Sequence, residues 1–385
     1  MTAPLLLDLS HTSHTRARTG VQRVARALDG ELNGAIGAIT WDPYADCWRP
    51  LTPWERDNLR SDSPARKRGA DWPLSARWGG WLQRGRRRAP PAGAALIVPE
   101  IFSPAVAAAL PRLFAAVTGP RVALFHDALA LQYPEYSAPN TVARFPAYLR
   151  DLLQFDGIAA VSEDSRAALV DYWRWLGVPS APPVAALPLG IDRPSARAAA
   201  AAAPPVILCV SSLEGRKNHL ALLAAAESLW QAGQSFQLRL IGLAQPQTGR
   251  AALDRIAALQ SAGRPLRYDG PVDEAVLEDA YAEAAFTVYP SLREGFGLPV
   301  AESLVRGKPC VCSGSRALGE IARAGGCLVL DRVEAPSLAA ACARLLGDAG
   351  ELAALAAAAG RRSFPSWGDY AAALRAWMNS LSRRT

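Results

Sequence analysis

Short runs rich in Val, Ile, Leu and Ala, each ending in polar residues, alternate with Ala/Leu-rich stretches of helical spacing along the whole chain. That alternation is the pattern of parallel sheets built from strand-helix-strand units. A first set of predicted strands comprises LLLDLS (5–10), AIGAITW (35–41), AALIVPE (94–100), RVALFHD (121–127), GIAAVSE (157–163) and VAALPLG (184–190). A second set comprises VILCVSS (206–212), FQLRLIG (236–242), LRYDG (266–270), FTVYPS (286–291), PCVCSG (309–314) and CLVLD (327–331). Between them, DRPSARAAAAAAPP (192–205) offers nothing bulky to bury, and 193–205 reads as a linker. The 385 residues exceed what one hydrophobic core holds. The predicted fold class is therefore α/β, two doubly wound Rossmann-like domains spanning 1–192 and 206–365 and facing a cleft.

In such sheets ligands gather beyond the carboxyl ends of the strands. The residues there are polar: His126-Asp127, Gly190 and Asp192, Glu214 to Asn218, and Arg293-Glu294. Arg216 and Lys217 fall between a strand and the helix HLALLAAAESLW, where unpaired N–H groups add to side-chain charge and suit a diphosphate. Later, SLREGFGLPVAESL (291–304) sets Glu294 and Glu302 on either side of the turn Gly295-Phe296-Gly297-Leu298, with Pro299 fitted to a first helical position. Small residues there let backbone amides approach a phosphate. Paired glycosidase acids face each other across one bond, whereas here a turn and a cation pair intervene. A ligand with hydroxyls at both ends and phosphates in the middle, a nucleotide sugar, fits this layout, each carboxylate accepting from vicinal hydroxyls. For Glu302 alone, a helix-capping role is the alternative.

Composition narrows the classes. The formal charge of +7 is carried by residues 64–88, where Arg66, Lys67, Arg68, Arg77, Arg84, Arg86, Arg87 and Arg88 oppose Asp71 alone. Trp72, Trp78 and Trp81 are interleaved with them, a combination suited to an anionic membrane surface. A solvated basic loop with its Trp rings packed inward is the competing reading, and nucleic acid is disfavoured because no recognised motif accompanies the patch. No apolar run reaches the roughly 18 residues of a spanning helix. The start, MTAPLLLDLS, lacks a basic leader, which predicts a cytoplasmic protein that at most touches the inner face of the cell membrane. Six cysteines without a C-x-x-C pair read as buried thiols, and His11-x-x-His14 is a weak metal signal.

The E-x7-E element EGFGLPVAE together with LEGRKN resembles the retaining glycosyltransferases of family 4, which have the two-domain GT-B fold. HDALALQYPEY, VSEDSRAALVDYW and LPLGID are similar to successive strand-end segments of that family, and FPSWGDYAAAL to its closing helix, so that 366–385 is expected to return to the first domain. The region from Cys47 to Arg88 has no counterpart. The resemblance implies that Arg216 and Lys217 hold the donor diphosphate, Glu302 the ribose and Glu294 the sugar, with His126 beside the sugar from the facing domain. Gly20, in RARTGVQRV, is similar to the family's phosphate-approaching glycine, and Ser162 matches a cleft position. It further implies transfer with retained configuration, without a cofactor or metal, and the chain has no Asp-x-Asp. The N-terminal LDLSHTSHTRARTGVQRVARAL is similar to mannosyl and deoxyhexosyl transferases of O-antigen, capsule or exopolysaccharide assembly. That suggests GDP-mannose or a related donor and a saccharide or polyprenyl-diphosphate-linked acceptor. A nucleotide-sugar epimerase or phosphorylase on the same architecture, and a non-catalytic nucleotide-sugar binding module, are the alternatives. Glu294 and His126 beside Arg216 and Lys217 weigh against the module, which needs no groups at a reacting centre.

Overall fold

The computed structural model describes residues 4–32, 34, 36–61, 69–85, 89–192, 194 and 203–384. It divides into two compact units, Met1–Gly190 with Trp367–Thr385, and Ile191–Ser366. Most of the segment expected to link them, 193–205, lies outside the described residues.

The first unit is built on seven strands: β1 (Leu5–Asp8), β2 (Ile36–Asp42), β3 (Cys47–Pro50), β4 (Ala95–Val98), β5 (Arg121–Phe125), β6 (Gly157–Ala160) and β7 (Val184–Ala186), ordered β3-β2-β1-β4-β5-β6-β7. Every pairing is parallel except β2 with β3, where Trp41 faces Trp48. The central strands carry unbroken apolar runs because helices cover both faces; β4, β5 and β6 are buried throughout. Helix Gly20–Glu31 starts where Thr19 and Gln22 form a reciprocal capping box, and turns Val24, Ala25 and Leu28 inward. The closing helix Trp367–Asn379 belongs to this unit. A Cβ on Gly157 would lie 2.8 Å from Trp377 of this helix and 2.6 Å from Leu381 beyond it, so a side chain there would push the terminal segment away.

The second unit holds β8 (Val206–Val210), β9 (Gln237–Ile241), β10 (Leu266–Tyr268), β11 (Ala284–Tyr289), β12 (Cys310–Ser313) and β13 (Cys327–Leu330), all parallel in the order β10-β9-β8-β11-β12-β13. Helix His219–Gln231 presents Leu222, Leu223, Ala226, Leu229 and Trp230 to the core, the spacing of one buried helical face.

In each sheet the strand order reverses at one place, between β1 and β4 and between β8 and β11. Connections leave in opposite directions there, which opens a crevice beyond the strand ends. Of the sequence-predicted polar segments, Glu214 to Asn218 follows β8 and Arg293-Glu294 follows β11 at such a reversal, while His126-Asp127 follows β5 and Gly190 and Asp192 lie beyond the edge strand β7.

Candidate functional site

After β8 the chain makes the turn Gly215–Lys217, passes through Asn218 in the left-handed region (φ 55°) and enters helix His219–Gln231. After β11 it runs through Pro290 and Ser291 to Glu294 and the glycine turn. The neighbouring strand ends bring the two loops together. Leu292 N donates to Arg216 O at 2.9 Å, Ser291 Oγ to the same carbonyl at 3.3 Å, and Arg216 Nη1 to Arg293 O at 3.1 Å.

Glu294 is the centre of this junction. Its carboxylate lies 2.7 Å from Arg216 Nη1 and 2.5 Å from Lys217 Nζ. It also accepts from Tyr289 Oη at 2.9 Å and from the Ser291 hydroxyl. Burial pushes the Glu294 carboxyl up, but Arg216 and Lys217 more than reverse that and hold it near 2. Burial and the adjacent Arg216 lower Lys217, with Glu294 opposing, while Tyr289 is raised well above its ordinary range by burial and by Glu294 and so remains a donor. Arg216 is also paired with Glu214 at 2.9 Å. The expected cation pair is therefore present but balanced, two positive groups against two carboxylates.

Gly297 closes the glycine turn at φ 108°, and a Cβ on it would lie 2.5 Å from Leu318 Cδ2. Glycine is required there on both counts. Helix Leu298–Val305 follows with Pro299 in its first turn, as the sequence predicts. Glu302 is one residue further along than expected, at the fifth helical position, because the helix starts at Leu298, and its first turn holds no acid. The capping role is thereby removed. Glu302 is buried and accepts from Tyr281 Oη at 3.2 Å, held by neighbours different from those of Glu294.

The remaining predicted donor residues belong to the first unit. His126 follows β5, with Nε2 2.7 Å from Pro99 O. A carbonyl only accepts, so Nε2 carries the hydrogen and Nδ1 is left as an acceptor; burial lowers the ring's pKa, which keeps it neutral. Ser162 caps helix Glu163–Trp175 by accepting from Ser165 N at 3.1 Å, and Ser165 Oγ donates to His126 O at 2.8 Å. Gly20 opens helix Gly20–Glu31 with free space beside its Cα.

Three residues at these strand ends were not singled out from the sequence. Tyr289 and Ser291 complete the shell of Glu294. Glu100, two residues beyond β4, accepts from His11 N at 2.9 Å, Thr12 N at 3.2 Å and the Thr12 hydroxyl, and so fixes the loop between β1 and Gly20. The acid ending VPE, like the His-Asp ending RVALFHD, was the available signal. His14 is structural, its Nε2 2.7 Å from Glu55 and its ring 4.0 Å from that of Trp72. Trp72 is thereby buried and leaves the set of membrane-facing residues. Arg66, Lys67, Arg68, Arg86, Arg87 and Arg88 lie outside the described residues.

Residues 204–348, which carry Arg216, Lys217, Glu294 and Glu302, match the family model of glycosyl transferases group 1. This segment is a group 1 glycosyl transferase domain. The chain resembles the serotype-specific mannosyltransferase WbdA of Escherichia coli, 27% identical over 351 residues, which is 84% of this chain and 40% of WbdA. It thus spans about two fifths of that relative's length. A shorter stretch of 193 residues, 46% of this chain and 44% of the relative, is 33% identical to D-inositol 3-phosphate glycosyltransferase of Thermobispora bispora. Among solved structures, Anabaena HepE in complex with UDP-glucose covers 98% of this chain and all of its own (100%) at TM-score 0.69 and 14% identity. Sucrose-phosphate synthase of Thermosynechococcus elongatus covers 98% of both chains at TM-score 0.67 and 18% identity. The two Rossmann-like sheets, one of them within residues 204–348, are those of the GT-B fold.

Proposed function

We propose that this protein transfers a hexose from a nucleoside-diphosphate sugar to a saccharide or polyprenyl-diphosphate-linked acceptor, with retention of anomeric configuration. The observation that carries the reading is Glu294 held between Arg216 and Lys217 at the switch point of the second sheet. The likeness to WbdA favours GDP-mannose or a related GDP-sugar as donor and a surface polysaccharide as product.

In this reading Arg216 and Lys217 carry the donor diphosphate, the turn Gly295–Leu298 receives it closely, Glu302 binds the ribose and Glu294 the sugar hydroxyls. As the glycosidic bond breaks, negative charge accumulates on the leaving diphosphate, and the two cations stabilise that state more than the bound donor. They do the work a divalent ion would otherwise do, so the reaction proceeds without metal. The leaving phosphate oxygen takes the acceptor proton. The donor roles of Gly20, His126 and Ser162 rest on the family resemblance.

The test is a panel of nucleotide sugars with and without a mannose-terminated lipid or oligosaccharide acceptor, in EDTA. Release of nucleoside diphosphate only when acceptor is added, with an α-linked product from an α-linked donor, supports the reading. An isomerised nucleotide sugar formed without acceptor, an inverted linkage, or activity restored only by magnesium would each count against the corresponding part.

A further inference from the structure

Helix Leu74–Gln83 lies within the stretch that has no counterpart in the resembled family, and it is held on one side only. Gly80 packs so closely on the β2–β3 turn that a Cβ would lie 2.7 Å from Tyr44 Cβ and 3.1 Å from Asp42 Oδ1. Trp72, just ahead of the helix, is buried with its ring 4.0 Å from His14, 5.2 Å from Tyr44 and 5.5 Å from Trp54. Arg77 Nε ties back to Trp72 O at 3.1 Å. Glycine contact and buried indole fix which side faces out.

At about 100° per residue, Leu74, Trp78, Trp81 and Leu82 share roughly 100° of arc on the side away from Gly80. They are 70%, 65%, 58% and 68% exposed. Single exposed apolar residues are ordinary, but four on one face of a ten-residue helix form a patch that calls for a partner. Charge indicates which. The sequence flanks the helix with Arg66, Lys67 and Arg68 on one side and Arg84, Arg86, Arg87 and Arg88 on the other, and Asp71 is the one acid between residues 64 and 88. Indole rings favour the headgroup layer, and clustered arginines are drawn to anionic lipid.

We propose that helix Leu74–Gln83 docks this protein on an anionic lipid bilayer, Trp78, Trp81, Leu74 and Leu82 entering the headgroup layer, with the positive charge that flanks the helix in the sequence adding an attraction to lipid phosphates. The contact is superficial. Among the described residues no helix is long and apolar enough to cross a membrane.

The experiment is flotation of the full chain with phosphatidylcholine vesicles, with and without phosphatidylglycerol. No donor or acceptor is present, so the result is independent of sugar transfer. Binding to phosphatidylglycerol vesicles alone, reversed by salt and accompanied by a blue shift of Trp emission, is expected. Trp78→Ser/Trp81→Ser should weaken binding about tenfold or more, with an unchanged melting temperature because both rings are exposed. Wild-type protein that does not float, or a double variant that floats as wild type, overturns the proposal. So does wild-type self-association without vesicles that the double variant abolishes, since the face would then be a protein interface.

Discussion

Glu294 Oε2 lies 2.7 Å from Arg216 Nη1, so together with Glu214 it already neutralises the positive pair of the candidate donor site. An incoming diphosphate competes with that carboxylate for the same guanidinium, and with its other oxygen for Lys217 Nζ. Glu294→Gln removes the competitor's charge while keeping its shape. Free nucleoside diphosphate should then bind several-fold more tightly, measured by calorimetry, while turnover falls on the order of 100-fold because the sugar loses its ionised acceptor. Weaker diphosphate binding in this variant would show that Glu294 serves only to hold the two cations in place.

Lys217 and Arg216 should differ when removed. Lys217 ends within the Glu294–Tyr289 cluster, and Lys217→Ala should raise the barrier by about 3 kcal/mol, roughly 100-fold in kcat. Arg216 also joins the two loops through Arg293 O. Arg216→Ala should therefore lower both turnover and the melting temperature, while Lys217→Ala acts mainly on turnover. Steady-state kinetics beside thermal melts separate the two; equal melting temperatures would remove the bracing role.

Gly297→Ala tests the turn. The left-handed φ of 108° and the contact with Leu318 should together destabilise the second unit by about 1–3 kcal/mol in denaturant titration and raise the donor KM. Gly20→Ala meets open space and should stay within about 0.5 kcal/mol of wild type. Equal behaviour of the two would mean that residues 295–298 adopt another path.

These sites were legible to different degrees, for physical reasons. Strand ends were readable because a buried parallel strand is an unbroken apolar run and its polar termination is abrupt, as at VILCVSS and RVALFHD. β3 was missed, since CWRP is short, ends in proline and shows no alternation, as an edge strand can. Arg216 with Lys217, and Glu294, were each visible, but their mutual neutralisation was not, because it arises from β8 and β11 being neighbours. The inward turn of Trp72 had no local signal either. It depends on His14, Tyr44 and Trp54, which other segments supply.

His219, which follows the Arg-Lys turn, makes a pH-dependent contribution to stability. Its ring is buried with Nε2 3.0 Å from Ser211 Oγ, and burial together with Lys217 depresses its pKa from 6.5 to about 4. The unfolded chain then binds a proton that the native state refuses, so stability is lost as pH falls from about 6.5 to about 4 and is level below. The loss is on the order of 3 kcal/mol. Asp8, raised to about 7 mainly by burial, acts in the opposite sense over an overlapping range. The measurement is therefore the difference between wild type and His219→Gln in denaturant titrations from pH 7 to pH 4. A constant difference would show that His219 does not carry the effect.

The C-terminal segment is clasped by Asp156, at the entry to β6. Arg121 donates Nε and Nη2 to its two oxygens, each at 2.7 Å, and Arg384 N donates to Oδ1 at 2.6 Å. Arg121 Nη2 also reaches Arg384 O at 2.9 Å, so the tail completes a closed set around a buried ion pair. Burial raises the Asp156 carboxyl, but the Arg121 hydrogen bond and the two backbone donors leave it lowered overall. Removing one partner of such a pair strands the other charge, which costs about 3–5 kcal/mol. Asp156→Ala should therefore destabilise the first unit by that amount and expose residues 380–384 to limited proteolysis. Truncation after Asn379 keeps Arg121 with Asp156 and removes the tail's hydrogen bonds and the half-buried Leu381 beside Gly157, so it should cost about 1–2 kcal/mol. If truncation proves as damaging as Asp156→Ala, the tail rather than the ion pair holds this corner of the sheet; if Asp156→Ala melts with wild type, neither does.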